Sequence, residues 1–165
     1  MMNTKLPDQA DSAGSSGPLQ IPSDIVDAMI AHCLRESPLE CCGLLGGDAP
    51  RVRSFHPLRN EAASETRYFA DPKDLIEAWR WLRDHDHQVL AIYHSHPRWE
   101  AVPSATDLKE NYWRDTPRII VSLITSPPTV RIWRLDTDSY SELKWTRVET
   151  LAETGEALHV ERPPD

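Results

Sequence analysis

The run QVLAIYHSHP, Gln88 to Pro97, decides how this chain reads. Its aliphatic, β-branched and aromatic content is that of a central strand, and Pro97, which has no N–H to give to a ladder, marks the end. Residues i and i+2 of a strand point to the same face, so His94 and His96 project together at the strand tip while Ser95 turns away. Asp107 follows in the first turn of a helix that Pro103 and Ser104 would begin. The loop between is long enough to fold its carboxylate back toward the two imidazoles. Two His and one Asp make a three-ligand metal site, which for zinc leaves a fourth, open position, the arrangement of a catalytic centre and not of a structural one.

The chain carries its own control for this spacing. A second His-x-His, His85 and His87, stands in RDHDHQ at the end of an expected helix, where residues two apart diverge by roughly 200° about the axis. Those two read as exposed polar residues at a helix terminus, where a cationic His suits the dipole. The competing reading of Ser104-Ala105-Thr106-Asp107 is an N-terminal capping box with Asp in place of the usual Glu or Gln. Capping accounts for Ser104 and Asp107 but not for two histidines aimed together from an apolar strand.

Outward from this stretch, the chain alternates helices and strands without strict βαβ repetition. Ile25, Val26, Met29, Ile30, Cys33 and Leu34 recur at helical spacing from Ser23, a candidate cap, to Ser37, before Pro38. LECCGLLGG (39–47) is a short apolar strand closed by glycines, and a second strand covers 51–56. Residues 57–70 show no period. Asp71-Pro72 offers an N-cap and a first-turn proline, followed by the stripe Leu75, Ile76, Trp79 and Leu82. Beyond the histidines, RIIVSLIT, VRIWRLD and SELKWTRVE supply three more strands separated by SPPT and DTDS. The fold class is α+β, an α/β sandwich with a mixed, largely antiparallel sheet flanked by helices.

With 165 residues there is room for one domain, expected over 21–149, between a disordered N-terminal arm (1–20) rich in Ser, Gly, Asp and Pro and a polar C-terminal tail (150–165). Against 18 basic residues stand 26 acidic ones, a formal charge of -8 with no segregated basic patch, which excludes a nucleic-acid surface. No apolar run approaches a membrane span, and the N-terminus lacks a secretory core, so no membrane partner and a cytoplasmic location are expected. Cys33, Cys41 and Cys42 form no disulfide framework and read as reduced thiols. A thiol mechanism using Cys41 or Cys42 with a histidine base is the rival chemistry; packing is the preferred reading of both. Glu40 stands inside an apolar run, where burial requires either a catalytic task or an ion pair.

The pattern Glu40 upstream, then HSHPRWEAVPSATD with seven residues between His96 and Ser104 and two between Ser104 and Asp107, resembles the JAMM (MPN+) zinc metalloproteases, in their stand-alone prokaryotic form. The similarity extends over roughly residues 21–148. The resemblance implies an MPN/cytidine-deaminase-like fold, Zn2+ held by His94, His96 and Asp107, Glu40 as general base, and Ser104 as stabiliser of the tetrahedral intermediate. It further implies a peptidase or isopeptidase acting at the C-terminus of a ubiquitin-like or sulfur-carrier protein, with a homodimer as one assembly open to it. The extended tail of such a substrate is expected to add to a strand edge near residues 57–70, beside Arg67 and Tyr68. The alternatives are a non-catalytic MPN scaffold, or a zinc peptidase acting on cell-wall or phage-tail material.

Overall fold

The computed structural model describes residues 17–150. The expected arm and tail fall outside these residues, apart from their inner ends. Leu19 and Gln20 already belong to the first strand, two residues ahead of the expected start of folding.

The chain runs β1 (Leu19–Pro22), α1 (Ser23–Glu36), β2 (Cys42–Asp48), β3 (Arg51–Leu58), α2 (Pro72–Asp84), β4 (Gln88–His96), α3 (Ala105–Lys109), β5 (Arg118–Ser122), β6 (Thr129–Leu135), β7 (Tyr140–Leu143) and β8 (Trp145–Val148). All eight strands join one sheet in the order β7-β6-β5-β4-β2-β3-β1-β8. Pairing is antiparallel at β2·β3, β2·β4, β5·β6 and β6·β7 and parallel at β1·β3, β1·β8 and β4·β5. This is the mixed, α+β arrangement expected from the sequence.

One expected strand is in fact two. SELKWTRVE is not a single strand: it breaks at Lys144, β7 pairing with β6 and β8 with β1. Because the two edge strands are one residue apart in the chain, the sheet must curl until its ends meet. The right-handed twist of strands makes such curling natural in a sheet of this width.

The curl wraps around α1. Ile25, Val26, Met29 and Cys33 pack against Ile21, Leu45, Phe55, Tyr93, Ile119, Val121 and Ile132, contributed by six different strands, with Leu143 and Trp145 at the seam. Ser23 is the first helical residue and not a side-chain cap; Pro22 holds the N-cap position, and Ser23 Oγ instead accepts from Arg147 Nε at 3.0 Å. Gly43 faces this core because Tyr93 lies over it, and a Cβ there would overlap the Tyr93 ring. Gly47, at φ +154°, makes the turn into β3 where a side chain would strike the Arg51 carbonyl.

The opposite face carries α2 and α3. The Asp71 side chain accepts from the N–H groups of Lys73 and Asp74, the cap expected from the sequence. Of the expected stripe, Leu82 is buried with Ala78 against Cys42, Leu44, Leu58 and Ile92, whereas Ile76 is 47% exposed. Among the described residues no helix is long and apolar enough to cross a membrane.

Candidate metal centre and catalytic cleft

Strand β4 places its residues on the two faces by simple alternation. Ala91 and Tyr93 belong to the core around α1, and Ile92 to the layer under α2. His94 and His96 share the face of Ile92, both nearly inaccessible, while Ser95 faces the α1 side.

The loop 97–103 is held by three successive carbonyls. Trp99 C=O accepts from Ser122 Oγ, Glu100 C=O from His96 Nδ1 at 2.7 Å, and Ala101 C=O from Trp133 Nε1 at 2.9 Å. Strands β5, β4 and β6 thereby pull the loop down, and α3 begins where its first turn overlies the histidines. Asp107 meets both of them, Oδ1 lying 3.2 Å from His94 Nε2 and Oδ2 3.4 Å from His96 Nε2. The two Nε2 atoms are 3.1 Å apart, and one donor atom from each of the three residues fits within 4.8 Å.

The capping that the sequence offered as a rival explanation is present, and the side chain that makes it also faces both imidazoles. Ser104 N–H donates to Asp107 Oδ2 at 2.8 Å and Asp107 N–H donates to Ser104 Oγ at 3.1 Å, a complete capping box. The box fixes the carboxylate that faces the imidazoles.

The donor set fits a metal ion on its own chemistry. A carbonyl can only accept, so Nδ1 of His96 carries a proton toward Glu100, and Nε2 of the neutral ring presents its lone pair to the cluster. His94 Nδ1 is buried with no hydrogen-bond partner among the described residues, and its ring is steadied by Tyr68, stacked with centroids 4.7 Å apart and planes at 26°. Asp107 is drawn upward by burial, but the charge of His94 and the hydrogen bonds of both histidines overcome this and hold it well below the usual carboxylate range. His96 is pulled down by burial, and the Asp107 and Glu100 contacts more than reverse this, leaving it raised.

Glu40 lies just ahead of β2, buried to 4% exposure, and lines with His96 and Ser104 an open cleft of about 580 Å³. No Lys or Arg pairs with it among the described residues, so the ion-pair account of its burial has no support there. Burial pushes its carboxyl up to about 8, partly relieved by His96 and reinforced by Asp107. A carboxyl that titrates near neutrality can exchange a proton with a reactant in the cleft.

The remaining sequence candidates separate from this centre. Cys41 is on the α1 side, its sulfur 3.4 Å from that of Cys33. Cys42 is on the histidine face but lies among Leu44, Leu58 and Ile92, where burial pushes its thiol well up, so it offers no thiolate. His85 stacks on Trp81 at 3.7 Å, and His87 is half-buried beside Ser54, at 3.3 Å, instead of fully exposed. Neither joins the group of His94, His96 and Asp107.

The stretch expected at 57–70 begins with the last two residues of β3, Pro57 and Leu58, and residues 59–70 form no strand. They fold back on themselves through an Asn60↔Ala70 bridge, and Arg67 pairs with Glu110 at 2.8 Å. Thr66 nonetheless lines the cleft. Sequence reasoning did not reach Asn60 or Ser95, which fix the main chain around Glu40. An Asn or Ser in such a stretch carries no pattern that names its distant partner.

Residues 22–136 match the family described as prokaryotic homologs of the JAB domain. A CysO-cysteine peptidase of Mycobacterium tuberculosis is 39% identical over 106 residues, 63% of this chain and 73% of that protein. A desampylase of Haloferax volcanii is 32% identical over 120 residues, 68% of this chain and 84% of that protein. The crystal structure of a JAB1/MPN domain protein from Archaeoglobus fulgidus superposes with a TM-score of 0.55 at 15% identity, covering 80% of this chain and 99% of that one, a likeness of fold.

Proposed function

This chain belongs to the prokaryotic JAB-domain family, and on that premise we propose that it is a zinc-dependent peptidase or isopeptidase cleaving the bond at the C-terminus of a ubiquitin-like or sulfur-carrier protein. The observation that carries the reading is the convergence of His94, His96 and Asp107 within 4.8 Å at the edge of the cleft that Glu40 and Ser104 line. Two imidazole nitrogens and one carboxylate oxygen are the donors that catalytic zinc sites use, with room left for a reactant. The names of the relatives, a CysO-cysteine peptidase and a desampylase, favour this substrate class.

His94, His96 and Asp107 would hold the ion. When bound, zinc supplies Lewis acidity that makes water a usable nucleophile near neutral pH. The chain's own residues do the rest. Glu40, its carboxyl raised by burial, takes the proton of the attacking water and returns it to the departing nitrogen. Ser104 Oγ already accepts from Asp107 N–H, so its own hydrogen is free to donate to the oxygen that becomes negative as the carbonyl is attacked. The openness of the cleft suits an extended tail, with Thr66, Trp99, Val102 and Ile124 along its walls.

The test is metal analysis of the purified protein together with cleavage of ubiquitin-like and sulfur-carrier fusions, with and without a chelator. Stoichiometric zinc and chelator-sensitive cleavage are expected. Full cleavage in excess chelator, or zinc binding with no cleavage of any such fusion, overturns the reading, the second outcome favouring a scaffold.

A further inference from the structure

We infer that Asn60 is a positioning residue that sets the place of Glu40 in the cleft, an inference that rests on the proposed role of Glu40 as the proton carrier.

Glu40 lies two residues ahead of Cys42, where the β2 ladder begins, so strand pairing does not provide for its main chain. A buried residue must nevertheless satisfy both its N–H and its C=O. The segment 60–70 does this from both sides. Glu40 N–H donates to Ser64 C=O at 2.8 Å, and Asn60 Nδ2 donates to Glu40 C=O at 2.9 Å.

The Asn60 amide is used to its full capacity. Its second Nδ2 hydrogen goes to Arg67 C=O at 3.0 Å, and its Oδ1 accepts from Ala62 N–H at 3.0 Å and Phe69 N–H at 2.9 Å. Two carbonyls face the nitrogen and two N–H groups face the oxygen, so the orientation of the amide follows from its partners. An ordinary Asx turn would explain the bond to Ala62 alone. The bond to Glu40 crosses twenty positions of sequence and serves no turn.

The same side chain thus closes the loop that carries Thr66 and Tyr68 and ties that loop to Glu40. Cys41, the next residue, is fixed from the other direction by Ser95. Glu40 is therefore bracketed between the histidine strand and a loop organised by one amide. Asp at position 60 cannot do the same, because it keeps the acceptor and loses both donors.

Asn60→Asp keeps the acceptor that serves Ala62 and Phe69 and sets an oxygen against the carbonyls of Glu40 and Arg67. With zinc content and KM held near wild type, kcat per folded molecule on a ubiquitin-like fusion should fall by about 10- to 100-fold, the scale of a small misplacement of a reacting group, while the thermal midpoint drops because the Glu40 carbonyl loses its donor. A variant that keeps wild-type kcat, or loses activity only in proportion to lost zinc or lost folding, overturns the inference. The wild-type protein carries a second test that no unfolded variant can spoil: through-hydrogen-bond NMR coupling from Asn60 Nδ2 to the Glu40 carbonyl carbon. Its absence also overturns the inference. Wild-type protein that cleaves no such fusion with zinc supplied would instead remove the proposed function, and the role of Asn60 with it. A cleaving wild type beside an equally fast Asn60→Asp would remove the role of Asn60 alone.

Discussion

Ser95 holds Cys41 by two hydrogen bonds, its hydroxyl accepting from Cys41 N–H at 2.9 Å and its own N–H donating to Cys41 C=O at 3.0 Å. The residue between the two candidate ligand histidines thereby registers the chain that carries Glu40. Ser95→Ala leaves the Cys41 N–H buried and unpaired, at a cost of about 1–3 kcal/mol. The expected outcome is a lower unfolding midpoint in denaturant and a reduced kcat, with zinc still bound. Unchanged stability and kcat would mean that the hydroxyl contact contributes nothing to either.

Ser104 and Asp107 share one capping box, yet their substitutions should separate. Asp107→Ala removes the carboxylate that meets both Nε2 atoms, and the purified protein should contain little zinc. Ser104→Ala leaves all three donors in place and should retain zinc while kcat falls by about 10² to 10³, the usual loss for an oxyanion donor. Elemental analysis and steady-state kinetics of the two proteins check this. An Asp107→Ala protein fully loaded with zinc would contradict the ligand assignment.

How far the sequence reaches can be seen from these residues. Alternation along β4 placed His94 and His96 on one face, because strand periodicity is a local property. Asp71 and Ser104 announced their helices for the same reason. The split of SELKWTRVE between opposite sheet edges left no local trace, since Leu143 and Trp145 both face the core and only closure of the sheet separates them. The exposure of Ile76 was equally hidden, because α2 buries a narrow face and the stripe does not say how much of it the sheet covers. Asn60, Ser95 and Tyr68 act through partners far along the chain, and spacing alone cannot find such partners.

Removal of the metal should expose a distinct pH dependence of stability. Burial raises Glu40 from 4.5 to about 8, so the folded chain keeps a proton that the unfolded chain releases. The stability this contributes is complete below about 4.5 and is lost as pH rises through about 8. His96, also raised above its ordinary 6.5, contributes in the same direction. Asp107 is depressed, so its contribution is present above 3.8 and is lost only in strong acid. Cys41, held down to about 5 chiefly by its hydrogen bond to Cys33, contributes in the opposite direction above about pH 5. The Glu40 share is therefore read as a difference: the melting temperature of chelated wild type minus that of chelated Glu40→Gln should fall from about pH 5 to about pH 8. A difference that climbs over this interval would contradict the assignment.

Tyr68 steadies His94, whose Nδ1 has no hydrogen-bond partner among the described residues. Metal-ligating histidines usually have the second ring nitrogen fixed by an acceptor, the arrangement that Glu100 offers His96, and removing such support costs about 10- to 100-fold in metal affinity. For His94 the support is the flat face of Tyr68. Tyr68→Ala should therefore weaken zinc binding on that scale, whereas Tyr68→Phe, which keeps the ring, should bind within a few-fold of wild type. Competition titration against a zinc indicator measures both. Equal affinities for the Ala and Phe variants would show that stacking does not orient the imidazole, leaving the strand backbone alone to aim it.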